Sequence, residues 1–174
     1  MSEQATIAEL FDLMIASERA CETLYRELAA RFVDHLEVAD FWERYAEQEA
    51  GHAQWLQRLR DMTSPAQLAA PADPVMLQNA RQMARFSVAH ALRGIHNLDD
   101  AYQLANELEN SEINAIFEFL VTNFAPDEKL REFLRAQLHD HLARLVGTFP
   151  TQYKGAIVRQ AIAALTNSPH TGQE

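Results

Sequence analysis

The sequence predicts an all-helical fold: four long helices, a long helical crossover between the second and the third, and a short helix at the C-terminal end. Three observations carry that expectation. Apolar residues recur at three- and four-residue spacing through four long segments, the period that places side chains on one helical face. Ala, Leu, Glu, Gln and Arg, all good helix formers, dominate a chain of 174 residues that only five Gly and six Pro interrupt. Capping and breaking residues such as Asp73-Pro74, Gly94, Asn97, Pro126 and Gly147 punctuate the periodic segments. The length suits a single domain with a sizeable core over 1–174, its bundle at about 5–147.

The first helix is expected at about 5–32, with Phe11, Met14, Ile15, Cys21, Tyr25, Leu28 and Phe32 on one stripe. Asp34 offers an N-cap and Glu37 its capping-box partner for a second helix at about 36–62, striped by Val38, Phe41, Trp42, Tyr45, Leu56 and Leu59. Residues 63–74 read as a loop. Asp73 and Pro74 then start a crossover helix that runs to about residue 93 and stops at Gly94. Asn97 caps a third long helix at about 98–123, striped by Ala101, Tyr102, Ala105, Leu108, Ile116, Phe119 and Leu120. The fourth, at about 126–146, turns Leu130, Leu134, Leu138 and Leu145 inward. A short amphipathic helix is expected at about 151–166.

Charge and cysteine usage exclude several classes. A formal net charge of −10 without a basic cluster argues against nucleic-acid and membrane partners. The lone Cys21 excludes a disulfide framework and any four-cysteine iron or zinc module, and its position in the stripe suits a small buried apolar residue. Met1-Ser2-Glu3-Gln4 shows no signal-peptide pattern and no stretch is apolar enough to span a membrane, so a cytoplasmic location is the expectation.

The chemistry-bearing residues are those that stand where a core residue should. Glu18 interrupts the first stripe, Glu49 and His52 the second, Glu109 and Glu112 the third, and His141 the fourth, each near the middle of its helix. Unpaired carboxylates in an apolar core cost several kcal/mol apiece. No inward Arg or Lys compensates them. Four Glu and two neutral His against two divalent ions sum to zero, and oxygen donors with some imidazole suit iron or manganese. In Glu49-Ala50-Gly51-His52 the two side chains lie three apart on one helical face, so both can reach the same ion. Glu22, Tyr25, Tyr45, Tyr102 and Gln137 are expected beside that set rather than in it; the tyrosines would hydrogen-bond the ligands, relay electrons or simply fill the core. His139 is expected to face outward, and His35, His90, His96 and His170 to be ordinary polar residues.

On these residues the chain resembles the rubrerythrin branch of the ferritin-like di-iron carboxylate superfamily. The first helix carries Glu18 and, seven residues on, Tyr25; the second Glu49, His52 and Leu56; the third Glu109, Glu112 and Phe117; the fourth His141 and Leu145. The matching pieces extend over 5–63 and 98–146. The resemblance implies a ferritin-like four-helix bundle holding two iron ions, with manganese or zinc as substitutes. It further implies peroxide reduction or ferrous-iron oxidation, a homodimer, and a separate electron donor, because a rubredoxin iron centre and a haem are not expected here. The fourth helix departs from the pattern: Leu138 occupies the position of the family's glutamate, and the flanking Gln137 and Asp140 are rotated about 100° away. The opposing expectation is a non-catalytic helical module with a degenerate or empty site, to which Leu138 and the crossover helix point. Iron storage in a large shell is a third.

Overall fold

A computed structural model describes residues 5–149, less the side chain of Glu112. The described chain is all-helical, its extended pairing limited to one antiparallel bridge between Thr6 and Pro71. The short helix expected at 151–166 lies outside the described residues.

Helix α1 (Ile7–Arg31) starts where the Thr6 hydroxyl accepts the Glu9 amide at 3.3 Å, and it buries Leu10, Phe11, Met14, Leu24, Tyr25 and Leu28. Helix α2 (Leu36–Met62) returns along it, and the two pack over most of their length. The cap expected at Asp34 falls one residue later: His35 is the N-cap, without a side-chain cap bond, because the His35 amide closes the preceding turn onto the Phe32 carbonyl at 2.9 Å. Trp42, Tyr45, Leu56 and Leu59 on α2 interlock with the α1 stripe. Each large apolar side chain so buried contributes about 1.5–3 kcal/mol.

The segment after α2, expected as a loop and one long helix, is more broken than the sequence suggests. Ser64 and Gln67 close a reciprocal capping box around a single turn, α3 (Pro65–Leu68), inside the expected loop. Helix α4 (Pro74–Met83) starts as expected, with Asp73 accepting the Met76 amide at 2.8 Å and Pro74 in the first turn. It ends ten residues early. Ser87 takes up an extended conformation and caps a separate α5 (Val88–Arg93), so the expected helix at 74–93 is two. The Arg81 guanidinium pairs with Glu9 at 2.7 Å, and Arg31 donates to the Leu92 and Ile95 carbonyls at 2.7 and 3.0 Å, which fastens both pieces to α1.

The third expected helix is also interrupted. It consists of α6 (Leu98–Glu109), capped by Asn97 as expected, and α7 (Glu112–Phe124). Asn110 ends the first piece and Ser111 caps the second; their short polar side chains bond back to the Asn106 and Leu108 carbonyls and compete with a continuous helix. Helix α8 (Glu128–Gly147) follows, with Asp127 rather than Pro126 setting its start by accepting the Leu130 amide at 2.8 Å. Helix α7 contacts α1, α2, α4 and α8. Among the described residues no helix is long and apolar enough to cross a membrane.

These caps give a direct comparison. Asp73→Ala removes a bonded cap and should cost about 1 kcal/mol, whereas Asp34→Ala should stay within about 0.5 kcal/mol. Urea titrations of the two variants measure the difference; equal losses would contradict the assigned start of α2.

Candidate metal centre

Five ionisable side chains converge from four helices. Glu18 comes from α1, Glu49 and His52 from α2, Glu109 from the last turn of α6 and His141 from α8, and all five are buried. The sequence-predicted set thus meets at one place, apart from Glu112, whose side chain lies outside the description. The helix breaks at Asn110–Ser111, so Glu109 ends α6 and Glu112 begins α7 instead of standing on one continuous third helix. The broken end is still satisfied: the Asn114 side chain donates to the Glu109 carbonyl.

The geometry is that of a tight carboxylate–imidazole cluster. His141 Nε2 lies 2.9 Å from Glu49 Oε1 and 3.1 Å from Glu109 Oε2. His52 Nδ1 lies 3.3 Å from Glu49 Oε2 and 3.6 Å from Glu18 Oε2. Glu49 is therefore the hub, one oxygen for each imidazole. On its other side, His141 Nδ1 donates to Gln48 Oε1 at 3.0 Å, which orients the ring and directs Nε2 at the carboxylates. Gln48 was not foreseen. Its only sequence signal is adjacency to Glu49, and position 48 falls at the edge of the apolar stripe rather than in it.

Electrostatics follow from burial and proximity. Burial, then the Glu49 charge, pushes the Glu18 carboxyl up to about 8, so it holds a proton beside Glu49. For Glu49 burial acts upward too, but the facing His141 and the hydrogen bonds from His141, His52 and Glu18 outweigh it and hold the group well below the usual carboxylate range. Burial disfavours both imidazolium ions, yet the hydrogen bonds that His52 donates to Glu18 and Glu49 raise it to about 10. The Glu49 charge and the Glu109 hydrogen bond raise His141 to about 9. Two neutral imidazoles, as the sequence suggests, would leave the carboxylates to be balanced by metal ions. With protein groups alone, the imidazoles are the compensating cations.

One side of the cluster is an aromatic wall. Tyr45 stacks on the His141 ring at 4.1 Å and donates to the His141 carbonyl at 3.3 Å. Tyr25 donates to Glu109 Oε1 at 2.6 Å and stacks on Trp42 at 5.5 Å. Both tyrosines thus support cluster residues while filling core. Tyr102 is buried elsewhere, 4.9 Å from the Phe149 ring. Glu22 is outside the cluster: it pairs with Arg19 at 2.7 Å and Arg26 at 3.1 Å, and these cations hold its carboxyl low against the opposing effect of burial. Gln137, Asp140 and His139 are exposed, whereas Leu138 is buried, so no carboxylate from that turn of α8 reaches the cluster. Cys21 is buried on α1; its thiol is pushed up by burial and then by Glu49, Glu18 and Glu109, which makes it unreactive.

Glu49, His52 and His141 each present one ligand atom, and these atoms all lie within 4.8 Å of one another. Small side-chain adjustments would bring three such atoms to the roughly 2.0–2.2 Å bonds of a first-row metal ion. Two imidazoles and one carboxylate, with Glu18 and Glu109 alongside, form a donor set fitted to iron, manganese or zinc. Comparison with family models, with curated proteins and with solved structures returns no match.

The protonated cluster makes a signed prediction for chelator-treated protein. His52, His141 and Glu18 all bind their protons more tightly in the folded chain than in the unfolded one, where imidazole titrates near 6.5. Their stabilisation is present at low pH and is lost as pH rises through values of about 8 to about 10. The thermal midpoint should therefore fall steadily from neutrality toward pH 10. A midpoint that is flat or rising over that window would contradict the ion-paired cluster.

Proposed function

We propose that the chain is a ferritin-like four-helix bundle of the rubrerythrin type, with α3–α5 as its crossover, that binds iron at this cluster and reduces peroxide or oxidises ferrous iron. The observation that supports this reading above all others is the buried Glu49–His52–His141 donor set. Buried ionisable groups of mixed sign, drawn from four helices to one point, are an expensive arrangement that a packed scaffold does not need.

Glu49, His52 and His141 would hold one ion. Bound iron would supply redox chemistry toward peroxide or dioxygen. Around it, the chain's own groups have separable tasks. Tyr25 keeps the Glu109 carboxylate turned toward the cluster, Gln48 fixes the His141 ring, and the Tyr45 ring excludes water from that side. Glu18 stands next to the ligands, its carboxyl pushed up to about 8 by burial and by Glu49 before an ion enters. Leu138 leaves a second ion without a terminal carboxylate from α8, so the reading is of one firmly held ion rather than two. With Cys21 the only cysteine, repeated turnover would draw electrons from a separate donor protein. A homodimer in the cytoplasm is the assembly that goes with this reading.

One observation favours a non-catalytic module instead: the cluster closes its own hydrogen bonds and ion pairs, so the bundle needs no ion to stand. Metal analysis separates the two. Protein produced with iron should carry about one ion per chain. Glu49→Ala should lose most of it, and Leu138→Glu should raise the count toward two. Uptake that is absent, or indifferent to Glu49, would leave the module reading in place. In the reduced, loaded protein, peroxide consumption above that of free iron is the activity expected.

A further inference from the structure

A cavity of about 360 Å³ opens beside the cluster between α2, α7 and α8, and His52 forms part of its wall. That volume lies at the small end of the range of about 300–1,000 Å³ usual for ligand pockets. The residues around it sort by chemistry along its length. On α2 the lining runs from Arg44 through Gln48 to Trp55 and on α8 from Arg144 through Gln137 to Leu134, with Phe117 of α7 at 5.2 Å from the His52 ring. The basic end is out of character for a chain of net charge −10. It sets two guanidinium groups against one carboxylate in the lining, Glu47. Arg44 is engaged by Asp40, whereas Arg144 has no acidic partner among the described residues.

His52 connects this cavity to the cluster. Its Nδ1 is turned to Glu49 and Glu18, and the two ring nitrogens of an imidazole point widely apart, so Nε2 faces away from the carboxylates. Nε2 makes no hydrogen bond to another described residue and is not a sealed-off atom, so it is on the cavity side that this nitrogen is reachable. Gly51 adds a second sign of a built opening: a Cβ placed there meets nothing within 4 Å, so the missing side chain leaves free space beside His52.

We propose that this cavity binds a small organic acid with an aromatic or branched apolar body, its carboxylate on Arg144 and its body against Trp55, Phe117 and Leu134, so that the middle of the molecule lies against His52. A planar guanidinium recognises a carboxylate through paired hydrogen bonds, and the aromatic end supplies the apolar contact that a mineral anion could not use. The proposal rests on the metal-binding reading only for what lies beyond His52; the cavity itself is a property of the chain.

The probes are 3-phenylpropionate and its neutral amide, followed by calorimetry and by the chemical shifts of the His52 ring and Trp55 indole, in both chelated and iron-loaded protein. The acid should bind and shift both signals, and the amide should bind about tenfold more weakly. Arg144→Gln, at an exposed position, should weaken the acid by about tenfold and leave the amide unchanged. Gly51→Phe should abolish binding of both while the metal content stays that of the parent protein. Equal binding of acid and amide, no effect of Arg144→Gln, or shifts that miss His52 and Trp55 would overturn the proposal. Acid binding in a chain that takes up no metal would sustain the cavity and refute the metal reading; metal uptake without acid binding would do the reverse.

Discussion

The ion pairs between Glu49 of α2 and His141 of α8 and between Glu109 of α6 and that same imidazole tie together helices that are distant in sequence. A buried carboxylate or imidazolium on its own is strongly unfavourable, so once these groups are enclosed each can only be where its partners are. Apolar stripes tolerate sliding and rotation by a fraction of a turn at modest cost. Hydrogen bonds of about 3 Å between short-reach side chains do not. The cluster therefore acts as a register pin for the helices around it, on top of whatever it binds.

Much of the surrounding structure makes sense as support for that pin. Gln48 takes the outward nitrogen of His141, Tyr25 takes an oxygen of Glu109, and Tyr45 covers the His141 ring. The break between α6 and α7 belongs to the same arrangement. It places Glu109 in a final helical turn, and Asn114 reaches back to occupy the carbonyl that the break exposes. An interruption in the middle of a core helix would otherwise leave backbone groups without partners in an apolar setting.

The two sides of the cluster differ in kind. Toward Tyr25, Trp42, Tyr45 and Phe149 the packing is aromatic and closed. Toward Gly51, Gln137 and Arg144 it is open and polar, and His52 is the cluster residue that lines that opening. A centre sealed on one side and reachable on the other fits chemistry on a molecule arriving from solution better than a purely structural ion site. It also gives access without exposing the carboxylates, since the imidazole stands between them and the cavity.

Local physics made a good part of this molecule legible from sequence alone. The 3.6-residue period fixed α1, α2 and α8, because long stripes average over many residues; the Asp73 and Asn97 caps follow from chemistry that acts within four residues. Glu18, Glu49, His52, Glu109 and His141 stood out because a charged residue in an apolar stripe costs too much to be incidental. The breaks at 84–87 and 110–111 were missed because a helical period continues across an interruption of two to four residues, and serine and asparagine side chains that bond the backbone help decide where it falls. Tertiary structure alone decided which oxygen meets which nitrogen, that Gln48 belongs to the site, and that Arg144, Gly51 and Trp55 share a cavity. Those facts depend on distances between helices, and no spacing along a single helix encodes them.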